Sequence, residues 1–269
     1  MSTPEHPRWA FSTLGAPGRP VHEHLVRALR HGCTGLELRV HQDEFVHVDL
    51  PPTERRAIRA RITDAGLAVP CLAGYAGICA PTPDPVVLSA IDRLLDLAYD
   101  LGASAVRIFP GGTGDGDTER AQRRLAALLP DARARGVTML IETHDSHPTG
   151  AAVATLIRPF AGAVGAIWDA LHPWRHGEQP PETAEALAGF LHYVQIKDAA
   201  STIDTTPVPL GTGAVPLTTI GTTLQAQAWQ GWISLEWEKA WYPEIPTLDE
   251  VLPAAAQWVN TYSRTRPSK

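Results

Sequence analysis

Short apolar runs alternate with amphipathic stretches eight times along the chain, and this alternation constrains the fold more than any other feature. Strands are expected at WAFSTL (9–14), TGLELRV (34–40), LAVPCL (67–72), SAVRIF (104–109), VTMLIE (137–142), VGAIWD (164–169), LHYVQIK (191–197) and WISLEW (232–237). Helices are expected at 20–32, 51–66, 84–102, 118–136, 148–160, 182–190, 217–231 and 247–263. The first places Val21, Leu25, Val26 and Leu29 on one face and stops at Gly32. The second opens with proline and closes with glycine, while Pro130 marks a kink or break in the fourth. Strict β-then-α alternation implies parallel strands joined by right-handed crossovers. Eight such units in about 250 residues fit a single (β/α)₈ TIM barrel of the α/β class. An open doubly wound sheet would be favoured by a GxGxxG turn after the first strand, and LGAPGRP (14–20) does not supply one. No linker, low-complexity tract or charge block divides the chain, so residues 1–269 read as one domain.

Composition narrows the function. Hydrophobic residues at 44% and charged residues at 19% describe a globular chain rather than a disordered one. No apolar run approaches the ~20 residues that span a bilayer, which argues against a membrane role. The start MSTPEHPRW lacks the form of a secretory leader, so a cytoplasmic location is expected. Cys33, Cys71 and Cys79 show no CxxC spacing and read as small buried hydrophobes. With 23 Lys and Arg against 29 Asp and Glu, the net charge of −6 argues against a nucleic-acid partner. Arg55, Arg56, Arg59 and Arg61 read as the solvated side of a helix. His6, His22, His24, His31, His41 and His47 read as surface or helix-face residues.

In a barrel the βα loops converge at the C-terminal ends of the strands, and polar residues stand at those ends here. They are Glu37, Arg107, Glu142, Asp169, Gln195 and Glu236. Period-two alternation puts Thr138, Leu140 and Glu142 on one face, Ile167 with Asp169, Tyr193 with Gln195 and Lys197, and Ser234 with Glu236. Carboxylates forced together repel, and burial adds several kcal/mol per ion. One divalent cation would remove the conflict, held by Glu142, Asp169, Gln195 and Glu236. An oxygen-rich set of this kind favours Mn²⁺ or Mg²⁺, with Zn²⁺ or Co²⁺ also accommodated. Alternatively each acid pairs with Lys197, Arg107 or Lys239.

The motifs IETHDSH (141–147), IWDALH (167–172), YVQIKDA (193–199) and ISLEWEK (233–239) resemble the strand-end motifs of the xylose isomerase-like TIM barrels. That superfamily holds sugar phosphate isomerases and epimerases, inosose isomerases and dehydratases, and the AP endonuclease family. The resemblance spans nearly the whole chain. It implies that Glu142, Asp169 and Glu236 are acidic metal ligands. It also implies a histidine on the seventh strand, in an H-x-K-D pattern, where this chain has Gln195. A glutamine there is similar to some dehydroshikimate dehydratases. By the same resemblance His172, three residues past Asp169, contacts substrate oxygen, and Glu37 is the family's second-strand acid.

Alternatives stay open at the remaining positions. Glu37 binds substrate or pairs with Arg107 or Arg39. His144 touches substrate or supports the site. Lys197 polarises a carbonyl or neutralises Glu236. LGTGAVPL (210–217) reads as a turn more than as a phosphate cradle. Trp237 is expected in the core, whereas Trp174 and Trp241 lie on loops that could wall a pocket. The expected function is a divalent-metal-dependent isomerase or epimerase. Its substrate would be a polyhydroxylated carbonyl compound: a keto sugar, sugar phosphate or inosose. Glu142 and Glu236 would exchange an α-proton through an enediolate. The alternatives are a dehydratase of the dehydroshikimate or inosose type and a non-catalytic binding subunit. Homo-oligomer formation stays open.

Overall fold

A computed structural model describes residues 8–262. Its strands are β1 (Trp9–Ser12), β2 (Gly35–Arg39), β3 (Leu72–Gly77), β4 (Ala105–Phe109), β5 (Thr138–Glu142), β6 (Val164–Asp169), β7 (Leu191–Ile196) and β8 (Trp232–Leu235). Each pairs in parallel with its neighbour in sequence, and β8 closes onto β1 with Trp9 opposite Ile233 and Phe11 opposite Leu235. The expected closed (β/α)₈ barrel is therefore the observed one. The helices are α1 (Val21–Arg30), α2 (Pro52–Asp64), α3 (Asp84–Leu101), α4 (Asp117–Arg135), α5 (Gly150–Ile157), α6 (Leu171–Arg175), α7 (Pro180–Ala186), α8 (Leu217–Ala226) and α9 (Leu248–Tyr262).

Parallel strands covered by helices are buried on both faces, and their side chains sort by the two-residue period. Leu36, Leu38, Val106, Ile108, Met139, Ile141, Trp168, Val194 and Leu235 pack with the helices in the outer core. A second, smaller cluster contains Cys71, Ala105, Leu140, Ile167 and Tyr193, with Trp232 packed against it. It draws on successive strands and on no helix, so it fills the barrel and forms a floor.

Several local expectations are corrected. The third strand runs over Leu72–Gly77, beyond the expected 67–72. Pro70 lacks the N–H that a ladder position needs, and regular pairing with β2 begins at Leu72 opposite Leu38. At Gly74, where α3 lies on the strand, a Cβ would press on Leu94 Cδ2 at 2.5 Å and on the Arg107 carbonyl oxygen at 3.2 Å. Pro130 does not break α4; it stands on the exposed side of a continuous helix. The short helix α6 forms where no helix was expected. His24 is fully buried between Phe11 and Phe45 rather than on a surface, and burial, then Arg27, lowers its pKa to about 4. His6 lies outside the described residues. The three cysteines are free and buried. No helix among the described residues is long and apolar enough to cross a membrane.

Candidate active site

One period above the floor, the same strands change character. Arg107 follows Ala105, Glu142 follows Leu140, Asp169 follows Ile167, and Gln195 then Lys197 follow Tyr193. With Glu37 and Glu236 these residues are at most 3% exposed, so the barrel brings together seven of the residues singled out in the sequence.

Two cations thread through the acids. Arg107 Nη1 donates to Glu236 Oε1 at 2.8 Å and lies 3.3 Å from Glu142 Oε2. Lys197 Nζ lies 2.8 Å from Asp169 Oδ2, 2.5 Å from Glu236 Oε2 and 2.6 Å from Glu238 Oε1. Gln195 Nε2 donates to Glu37 Oε1 at 3.2 Å and to Glu236 Oε1 at 3.1 Å. Glu37 thus meets Gln195 and is not ion-paired with Arg39, whose guanidinium turns to Glu44 at 2.7 Å and to the Tyr75 hydroxyl. Nor does Lys239 serve the acids, because its ammonium is spent on the backbone oxygens of Pro243 and Ile245.

Burial pushes the Glu142 carboxyl well above its ordinary range, beyond what Arg107 offsets. Burial raises Asp169 to about 6 against the pull of Lys197. Glu37 is raised by burial and by the nearby Glu236. Burial would raise Glu236 as well, but Lys197 and Arg107 outweigh it and hold that carboxyl down to about 2. For Lys197 burial works toward the neutral form and is outweighed by Asp169, Glu236 and Glu238, so the ammonium is held well above its usual range. Burial and the two cations thus shift two carboxyls of one cluster in opposite directions, Glu142 up and Glu236 down.

The cluster also meets the requirements of a divalent cation. Ligand oxygens of Glu142, Asp169 and Glu236 lie within 4.8 Å of one another. Gln195 Oε1 is buried without a hydrogen-bond partner, while Glu142 Oε2 faces Arg107 at 3.3 Å and Asp169 Oδ2 faces Lys197 at 2.8 Å. Four buried carboxylates (Glu37, Glu142, Asp169, Glu236) face two buried cations (Arg107, Lys197), a formal deficit of two positive charges. For Gln195 to offer its oxygen, the amide must release the two carboxylates that its nitrogen now engages.

Above the acids a ring of aromatics crosses the mouth. Trp241 contacts Tyr75, Tyr75 contacts Phe109, Phe109 contacts His144 at 4.4 Å between centroids, and His144 contacts His172 at 4.2 Å. The Arg39 guanidinium stacks over Trp241 at 4.7 Å and that of Arg107 over Phe109 at 4.3 Å. Burial lowers the pKa of both His144 and His172, which keeps the imidazoles neutral. Trp241 and Tyr75 line a cleft of about 490 Å³ with His41, His47 and Leu94. Trp174 is half-buried on α6 against the outer core. Trp237 is buried and donates from Nε1 to Pro246 O. Tyr75, Phe109, Glu44 and Glu238 escaped the sequence reading, although Glu238 could have been found one period beyond Glu236.

The 210–217 turn is filled from within. Asp198 accepts from the N–H groups of Gly211, Gly213 and Val215 at 2.8–3.1 Å. The anion that this backbone cradles is the protein's own carboxylate, which excludes a phosphate there.

Residues 25–262 match the family model described as xylose isomerase-like TIM barrel. A Streptomyces coelicolor protein with the provisional name hydroxypyruvate isomerase is 29% identical over 88% of this chain and 92% of its own. The fold is similar to that of an L-ribulose 3-epimerase, with TM-score 0.79 and 17% identity over 96% of this chain and 95% of that one. It is also similar to AsbF of Bacillus anthracis, provisionally named a 3-DHS dehydratase, with TM-score 0.76 and 17% identity over 96% and 100%.

Proposed function

The chain belongs to the xylose isomerase-like TIM barrel family, and from that premise we propose that it is a metal-dependent isomerase or epimerase of a polyhydroxylated carbonyl compound. The observation that carries this reading is the meeting of Glu142 and Glu236, two acids leaving different strands, in one buried cluster with Asp169. Epimerisation or 1,2-isomerisation needs one group to take a proton from carbon and another to return one. Glu142 and Glu236, which reach the cluster from β5 and from the end of β8, are suited to these two tasks. The names of the Streptomyces coelicolor relative and of the epimerase neighbour support the same class of reaction.

Glu142, Asp169, Glu236 and, with its amide turned, Gln195 would hold the cation. When bound, a divalent cation polarises a carbonyl and acidifies the neighbouring C–H, and Mn²⁺ or Mg²⁺ suits this oxygen set. Lys197 and Arg107 keep Glu236 ionised and offer positive charge to oxygens that become anionic. Neutral His144 and His172 accept or donate hydrogen bonds to substrate hydroxyls, and the aromatic ring above them limits water.

A second reading, loss of water, is favoured by the same Lys197. Its ammonium, held among carboxylates, can donate a hydrogen bond to a departing hydroxyl and stabilise the charge that develops there. The decisive experiment incubates the Mn²⁺-loaded protein with ketoses, inososes and dehydroshikimate in deuterated water. The proposal expects a product of conserved mass carrying deuterium at the α-carbon. A dehydrated product with new ultraviolet absorption establishes the second reading, and absence of exchange on every substrate overturns both.

A further inference from the structure

We propose that Glu238 is a positioning residue that takes over the Lys197 ammonium when a divalent cation enters the acid cluster. It thereby sets the affinity for that cation and the place from which Lys197 meets substrate. The inference rests on the metal-dependent function proposed above. Both acids beside Lys197 have one oxygen already committed. Asp169 Oδ1 accepts from the Leu171 N–H at 2.8 Å. Glu236 Oε1 accepts from Arg107 Nη1 at 2.8 Å and from Gln195 Nε2 at 3.1 Å. The remaining oxygens, Asp169 Oδ2 and Glu236 Oε2, are the two that Lys197 Nζ contacts, at 2.8 Å and 2.5 Å. A divalent ion ligated by both acids therefore enters where the ammonium stands, and two cations repel strongly at that range.

Glu238 offers the ammonium another place. Its Oε1 already accepts from Lys197 Nζ at 2.6 Å. Its side chain is 19% exposed, against at most 4% for Asp169 and Glu236, so it lies on the solvent side of the cluster. The Glu238 backbone is fixed in a turn, because its carbonyl accepts from the N–H groups of Trp241 and Tyr242 at 3.0 Å and 3.1 Å. Lys197 has a flexible four-carbon stem and three rotatable donors, so it can keep this partner while giving up the other two. Arg107 is anchored differently. Its Nε and Nη2 each donate to Gly74 O at 3.3 Å, and its guanidinium stacks over Phe109. Of the two buried cations, Lys197 is therefore the one that yields. Drawn to Glu238, its ammonium turns from the metal's oxygens toward the mouth, where it donates to a substrate oxygen.

The test measures Mn²⁺ binding to the full-length protein by titration calorimetry. It compares the unsubstituted chain, Glu238→Gln, Lys197→Met and the double variant. Glu238→Gln should weaken Mn²⁺ binding about 10–100-fold, as loss of an outer partner of a metal site does. The ammonium then has only the metal's own oxygens to turn to. In the Lys197→Met protein the same change should alter affinity by no more than about threefold, close to the additivity of uncoupled positions. Equal losses in the two backgrounds mean that Glu238 acts without Lys197, and they overturn the proposal. Unchanged affinity in Glu238→Gln overturns it too. A crystal structure of the unsubstituted protein with Mn²⁺ decides the matter even where a variant fails to fold. Lys197 Nζ should stay on Glu238 and stand more than about 4 Å from Asp169 Oδ2, outside ion-pair range. An ammonium still on Asp169 overturns the transfer. Mn²⁺ taken up by Lys197→Met and not by the unsubstituted protein also overturns it, and leaves the acid-set reading standing. No uptake by any of the four proteins refutes the acid-set reading and this proposal together.

Discussion

The floor of the barrel and its mouth are built from the same strands, two residues apart. Leu140 and Glu142, Ile167 and Asp169, Ala105 and Arg107, and Tyr193 and Gln195 share faces. Below, the side chains meet as hydrocarbon and one aromatic ring; above, they meet as charge. Each layer is equally sealed from solvent, so burial alone does not separate packing from chemistry. What separates them is whether a group's cost of burial is offset by contact with neighbours or by a partner of opposite charge. The upper layer remains short of positive charge; the floor has no ionised groups and no such shortfall.

Four substitutions or conditions would break or sharpen that contrast. Glu236→Gln should lower turnover about 10²–10⁴-fold on any active substrate, with metal content measured on the same sample. If it costs no more activity than a change in the floor, the mouth is not the site. Lys197→Met removes the cation between Asp169 and Glu236, and urea denaturation without metal should show a loss of about 3–5 kcal/mol. Added Mn²⁺ should restore part of that loss. Leu140→Ala should cost about 3 kcal/mol in the same measurement while leaving kcat per folded molecule close to normal. The smallest effect is on pH dependence, followed in a chelating buffer. Asp169 is raised to about 6, so the folded protein binds its proton more tightly than the unfolded chain does. Stability should therefore fall by about 1–3 kcal/mol on this account as pH rises from about 4 to about 6, and Asp169→Asn should lessen the decline, the rest coming from Glu142 and Glu37, whose carboxyls burial also raises. Glu236, held at about 2, acts with the opposite sign, and its contribution is lost as pH falls from about 4 toward 2.

The alternation of elements made the barrel legible, and period two put Leu140 with Glu142, Ile167 with Asp169 and Tyr193 with Gln195 on shared faces, which the barrel turns inward. That reasoning works where the backbone is regular. It failed at the third strand, where Pro70 lies inside an apolar run that resembles a strand, and at α6, too short to show a helical period. It could not reach Tyr75 in the aromatic ring or the Arg39–Glu44 pair, because their meeting depends on loop paths. The partner of Glu37 was also missed. Two arginines of opposite charge were the obvious choices, yet barrel geometry gave Glu37 an amide and sent Arg107 to Glu142 and Glu236. The turn at 210–217 was read correctly as a turn, but its tenant, Asp198, precedes it by more than ten residues.

The pairing of β1 with β8 carries a consequence for biogenesis. Trp9 waits for Ile233, so the ring stays open while nearly all of the chain is synthesised. Until β8 docks, β1 and β7 each present an unpaired edge, the surface on which a nascent chain is most prone to aggregate. The same docking event delivers Glu236 beside Arg107 and Lys197. Closure of the ring and completion of the buried acid cluster therefore arrive together.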